Sequence, residues 1–208
     1  MEPFMSLRFA LCALLAVSTC ASAAEPWHLV QDDDGIQVYL SDVPGSRYQQ
    51  FRGVALIKAS VHTLSDLQEN LRVACKWLYG CADMRLLKVD GDSTWVYLTT
   101  ALPWPASTRD MVIQVQSERR DDGSLVRRLK AVPGMVKHVP GQIRVRQLKG
   151  LWTFVPKGEQ LTEVTYELQA DPAGDIPSWL ANQFVLDAPV ISLRTLRAVA
   201  ERQGGAAP

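Results

Sequence analysis

The sequence has no charge imbalance, no second long apolar run and no recognisable catalytic signature. Its 22 Lys and Arg are matched by 22 Asp and Glu in 208 residues. There is thus no basic excess of the kind that neutralises nucleic-acid phosphates. Nothing reaches the roughly 18 consecutive apolar residues of a bilayer-spanning helix. The patterns G-x-S-x-G, H-E-x-x-H, G-x-G-x-x-G and G-x-x-x-x-G-K are all missing. Histidine is scarce: His28, His62 and His138 stand alone in predicted loops or termini. A lone loop histidine is more often solvated than a ligand, so no metal and no cofactor are expected. Carboxylates fall mostly in turns, and Glu163 and Glu167 share a polar strand face with Thr165. A general acid/base pair would need burial, so no enzyme is expected. What is present is ordinary globular composition, 47% hydrophobic and 21% charged. That excludes a disordered chain and suits one domain with a sizeable core.

The first 24 residues read as a cleaved signal peptide. Arg8 precedes the apolar run Phe9–Val17, and the segment ends Ala21-Ser22-Ala23-Ala24. A basic start, a short apolar middle and small closing residues form the secretory pattern. Met5 is an alternative start. Cys20 has the look of a lipoprotein attachment site, but Thr19 is larger than the small residue expected before it. Export leaves two cysteines, Cys75 and Cys81. In an oxidising compartment two nearby thiols pair. A disulfide there would staple a turn at Gly80 and stabilise it by about 2 kcal/mol.

Beyond the leader, strand-like runs are expected at 36–40, 48–57, 84–89, 94–102, 111–117, 125–132, 143–155 and 161–170. Asp90-Gly91-Asp92, Asp121-Asp122-Gly123 and Pro156-Lys157-Gly158 punctuate them as turns. Short turns between successive strands imply an antiparallel meander. Leu64, Leu67 and Leu71 mark a helix capped by Thr63 or Ser65. Trp95, Tyr97 and Thr99 share one strand face; Met111, Ile113 and Val115 share another. A sheet with one apolar face needs a cover. The long segment from Ile176-Pro177-Ser178-Trp179 onward supplies it, with Leu180, Phe184, Ala188 and Ile191 near one stripe and Pro189 inside. The reading is one α+β domain over residues 25–202, with a disordered tail at 203–208.

One loop stands apart: Leu102-Pro103-Trp104-Pro105-Ala106-Ser107-Thr108-Arg109-Asp110. Arg109 opens an apolar strand, and a lone buried charge is costly. It pairs either with a carboxylate such as Asp110 or with the anionic group of a ligand. Arg119-Arg120 and Arg127-Arg128-Lys130 sit beside acidic turns and read as a solvated hairpin.

This loop, the stretch Pro172-Ala173-Gly174-Asp175-Ile176-Pro177-Ser178-Trp179-Leu180 and the helix ending Leu193-Arg194-Thr195-Leu196-Arg197 together resemble the START family, the steroidogenic-acute-regulatory-related lipid transfer domains. The resemblance covers roughly Trp27 to Ala200. It implies a helix-grip fold, in which a curved antiparallel sheet wraps a long C-terminal helix around a hydrophobic tunnel for one lipid. It also implies that this helix and the loop Pro133–Gly141 form a lid. Met135, Val136 and Val139 give that loop an apolar character, suited either to packing on the helix or to touching a membrane. By the same resemblance Arg109 would meet a lipid phosphate, since a planar guanidinium donates in pairs. Candidates for the apolar wall, taken from alternation and helix stripe, are Trp95, Tyr97, Trp152, Tyr166 and Phe184; Arg128 is a further candidate charge. The resulting expectation is a monomeric periplasmic carrier of a Gram-negative bacterium, binding and transferring a phospholipid in preference to a sterol, with transient membrane contact. An enzyme of hydrolase or cyclase type in the same hollow, or an adaptor presenting the loop to a protein, are the rival readings.

Overall fold

The computed structural model describes residues 26–204. The segment read as a signal peptide and residues 205–208 lie outside the described residues. In chain order the elements are β1 (His28–Asp33), β2 (Ile36–Ser41), β3 (Gln50–Ile57), α1 (Val61–Glu69), α2 (Leu71–Trp77), β4 (Cys81–Asp90), β5 (Ser93–Thr100), β6 (Arg109–Arg119), β7 (Leu125–Ala131), β8 (Ile143–Arg144), β9 (Gln147–Gly158), β10 (Leu161–Asp171) and α3 (Ser178–Gly204). The final helix takes in Gln203 and Gly204, which the sequence assigned to the tail. The edge strand β1 carries mostly exposed residues, so it has no alternation to betray it. Helix α2 is short and separate because Asn70 ends one helix and starts the next, its side chain accepting from the Val73 amide.

The strands form one sheet in the order β1-β2-β3-β10-β9-β7-β6-β5-β4, with β8 adding a parallel pair to β6. All other pairs are antiparallel. Helix α3 packs on β2 and β3 near one end of the sheet, α2 packs on β4 at the other, and α2 touches α3. The two ends are thereby drawn to one helical layer. This is the α+β helix-grip architecture.

Burial along α3 is uneven. From Ala188 onward Ala188, Val190, Ser192, Leu193, Leu196 and Ala200 are buried, whereas before it Leu180 is the one buried residue among those described. The C-terminal part is therefore the anchor. Close approach at Gly53 makes the anchor tight, because a Cβ there would lie 2.8 Å from both Leu193 Cδ1 and Pro189 Cβ. Pro189 is too rigid to give way. We expect Gly53→Ala to cost about 1–3 kcal/mol through overpacking. The measurement is a lower denaturant midpoint at unchanged slope; an unaltered midpoint would show that the helix can slide.

The Cys75–Cys81 disulfide joins α2 to β4 across a Cα–Cα distance of 5.2 Å. Gly80 supplies the positive φ (68°) that turns the chain between them. This fixes Leu78 and Tyr79 against α3, where the Tyr79 amide donates to Ser192 Oγ at 3.0 Å.

Candidate functional site

Alternation along β6 decides what faces the interior. Arg109, Met111 and Ile113 line a cavity between sheet and α3, while Asp110 and Val112 point to the other face and are also buried. The cavity's walls come from Leu98 of β5, Leu129 of β7, Leu148 and Trp152 of β9, Tyr166 and Leu168 of β10, and Leu180, Phe184 and Val185 of α3. Trp152 and Tyr166 stack with ring centroids 3.9 Å apart. Burial raises the Tyr166 hydroxyl's pKa well above its ordinary value. The cavity holds about 140 Å³, within about 1120 Å³ of atom-free space that includes its open mouth.

One end of this apolar space is polar. Arg109 is 2% exposed. Its guanidinium donates to three backbone carbonyls: Nε to Pro172 at 3.2 Å, Nη2 to Ala173 at 3.0 Å, and Nη1 to Ser107. No carboxylate pairs with it among the described residues. A guanidinium has five N–H donors, so one remains on each terminal nitrogen. Burial lowers its pKa from the ordinary value, as expected of a charge without a counter-ion. Tyr48, from the β2–β3 connection, also lines the cavity, and its hydroxyl is buried with no hydrogen-bond partner among the described residues. An uncompensated cation and an unused hydroxyl are both costly in an apolar wall. Together they offer hydrogen-bond donors to an oxyanion.

The opposite face of β6 carries a separate buried polar network around Asp110. Arg144 Nη2 and Nε donate to Asp110 Oδ2 and Oδ1 at 2.6 and 2.9 Å, and Tyr97 donates to Asp110 at 3.0 Å. Arg144 also donates to the carbonyls of Pro133, Val136 and Lys137. Burial works to raise the Asp110 carboxyl. Hydrogen bonds from Arg144 and Tyr97 outweigh it and hold the group below the usual carboxylate range.

Of the residues singled out in the sequence, the structure brings Arg109, Trp152, Tyr166 and Phe184 together around the cavity. Trp95 and Tyr97 are not there. Leu98 pairs with Met111 and Tyr97 with Val112, so the inward face of β5 is the Leu98 face. Tyr97 serves the Asp110 network, and Trp95 lies beneath Lys88 at 4.9 Å. Arg128 is also outside. Leu125, Arg127 and Leu129 share the inward parity of β7, and Arg128 faces out to Glu118. The inward arginine, Arg127, is held by Ser65, Gln68 and Glu69 of α1. Met135, Val136 and Val139 line no part of the cavity. Arg144 grips their loop from the outer side, leaving Met135 exposed. Tyr48, read from sequence as the first residue of a strand at 48–57, lies instead in the connection before β3, and no alternation there marks it as facing the cavity. Arg144 was missed because its partner is 34 residues away. No three His, Cys, Asp or Glu stand together as a metal site among the described residues.

The chain is thus a hollow helix-grip domain with an apolar cavity and one buried cationic end. The START domain profile matches residues 9–204; the chain belongs to the START domain family. It is 47% identical over 198 residues to the uncharacterized protein PA1579 of Pseudomonas aeruginosa, covering 95% of this chain and 98% of that one. Human phosphatidylcholine transfer protein is 28% identical over 169 residues, covering 78% of each. The crystal structure of the STAR-related lipid transfer protein (fragment 25–204) of Xanthomonas axonopodis superposes with a TM-score of 0.78 at 36% identity, covering 84% of this chain and 98% of that one.

Proposed function

We propose that this chain is an exported lipid carrier that binds one glycerophospholipid with its phosphate on Arg109 and its tails in the apolar cavity, and passes it between membranes. The observation that carries the reading is the buried Arg109 guanidinium, with two N–H groups unspent and the unpaired Tyr48 hydroxyl on the same cavity. A sterol would leave that charge uncompensated; a phosphate satisfies it with paired donors. The names of the human and Xanthomonas relatives support lipid transfer as the activity.

At about 140 Å³ the cavity is smaller than the ~300–1,000 Å³ clefts that bury drug-sized ligands. Tails therefore enter only as the loosely buried first part of α3 lifts from the sheet, with the part beyond Pro189 as anchor. Each CH₂ moved from water into the cavity contributes about 0.8 kcal/mol, so exchange is a partition between bilayer and protein. Trp104 and Trp179 are exposed near cavity-lining Leu102 and Leu180, and Met135 is exposed on the Arg144-held loop. Tryptophan favours membrane interfaces, and these residues form the contact through which lipid exchanges. The Ala-rich leader and the disulfide support a periplasmic site of action.

Native mass spectrometry of the protein purified after export tests the reading. The expected spectrum shows one phospholipid per chain, an intact disulfide and a mature N-terminus near residue 25. Retention of a sterol or a free fatty acid in its place would overturn the headgroup assignment. A protein that arrives empty and takes no phospholipid from vesicles would overturn the carrier reading.

A further inference from the structure

The cavity is one of two hollows that meet at Tyr48. The second is a groove of about 610 Å³ that shares Tyr48, Leu148 and Ala170 with the first. Its charged lining is Arg47, Lys130, Arg146, Lys149 and Asp171. Leu129 faces the cavity, so its neighbour Lys130 faces out, and Lys130 lies directly opposite Lys149 on the next strand. All four cations are exposed.

The chain is neutral as a whole, and nearby arginines have acidic partners: Arg128 has Glu118, Arg127 has Glu69 and Arg144 has Asp110. None of the four groove cations is in an ion pair among the described residues. Arg47 lies over the Tyr48 ring at 4.9 Å. The one carboxylate, Asp171, accepts from the Ala173 amide. Two lysines directly opposite across a strand pair also cost stability. The fold thus maintains an unfavourable cluster of positive charge beside the polar end of its cavity.

Resting on the carrier reading, we propose that this groove is a second anion site. It holds the outer part of the carried lipid's headgroup and selects lipids with a further phosphate or carboxylate beyond the phosphodiester. With the first phosphate on Arg109, the headgroup passes Tyr48 and emerges among Arg47, Lys130, Arg146 and Lys149. A carboxylate there gains charge-assisted contacts. A quaternary ammonium there meets four like charges, so choline lipids are disfavoured.

The test equilibrates the full mature chain with vesicles of equal phosphatidylserine and phosphatidylcholine with matched acyl chains, then counts bound lipid by native mass spectrometry. The wild type is expected to enrich phosphatidylserine roughly tenfold, the scale of two or three solvent-screened charge pairs, with the enrichment fading as salt rises. Lys130→Gln/Lys149→Gln is expected to bring the ratio near one at undiminished total loading, with an unfolding midpoint equal to or above the wild type's. Absence of enrichment in the wild type, or its persistence in the double variant, would overturn the groove assignment while leaving the carrier reading intact. A double variant that loses vesicle co-sedimentation but keeps the enrichment would overturn it in favour of a bilayer-docking surface. Failure of the wild type to take up any lipid would overturn both, whereas failure of the double variant alone would overturn the groove assignment only.

Discussion

Asp110→Asn is expected to destabilise the protein by about 3–5 kcal/mol, the cost of breaking a buried ion pair by removing one partner. The pair is well buried, with side-chain exposures of 8% for Arg144 and 0% for Asp110. Asparagine keeps the size of the side chain but leaves the Arg144 charge with only neutral oxygens. Arg144 also holds the carbonyls of Pro133, Val136 and Lys137, so the 133–141 loop should become the first site of proteolysis. Replacing both partners with apolar residues of similar volume should cost much less than the single change. The acid side of the stability profile gives a second readout. The folded Asp110 pKa is depressed by Arg144 and Tyr97 against the opposing pull of burial. Its contribution is therefore fully present above the unfolded value of about 3.9 and is lost as pH falls through the lower folded value. The variant's stability should be flatter over that acid window. Equal denaturant midpoints for the two proteins at neutral pH, with equal acid slopes, would remove Asp110 from this role.

That network also shows where sequence reading succeeded and where it stopped. The inward face of β6 was legible, because Met111, Ile113 and Val115 alternate with Gln114 and Gln116, and that parity places Arg109 inside. The neighbouring strand was misread by size. Trp95 and Tyr97 looked like wall residues, but register ties Leu98 to Met111, so a correct β6 face already required Leu98 on the inside. The same parity argument on β7 makes Arg127, not Arg128, the inward arginine. A charge in an apolar register is accepted only with a partner, and that partner, Glu69, lies 58 residues away. Similarly, the loop at 133–141 has the apolar composition of a lid, yet Arg144 ties it to the outer face. Periodicity reports which residues share a face. It does not report which distant side chain satisfies a buried charge, and most of this site's architecture is of that second kind. The long C-terminal helix, by contrast, announced itself through Pro177, its apolar stripe and the loop before it, and its placement over the sheet followed from the sheet's need for a cover.

Arg109→Met should abolish selective phospholipid loading. Removing two charge-assisted hydrogen bonds to a phosphate, each worth about 1.5–3 kcal/mol, corresponds to a loss of about a hundredfold to ten-thousandfold in affinity. Methionine retains the apolar stem, so the tail-binding wall stays intact. A diacylglycerol, which has the same tails and no phosphate, should load as well as before or better, because the buried charge that opposed it is gone. This contrast separates a headgroup role from general damage. The substitution has a structural cost as well: Ser107, Pro172 and Ala173 lose a shared donor, and the 102–108 loop is no longer tied to the segment before α3. We expect about 1–3 kcal/mol of destabilisation from those unsatisfied carbonyls, so loading is compared well below the variant's unfolding temperature. Arg109→Lys is the finer probe. It keeps the charge but offers no planar fork, and it cannot reach three carbonyls while presenting paired donors. Its phospholipid affinity should fall between wild type and Arg109→Met. If the methionine variant takes up phospholipid and diacylglycerol in the wild-type ratio, the guanidinium is a loop brace alone, and the headgroup must lie elsewhere along the cavity.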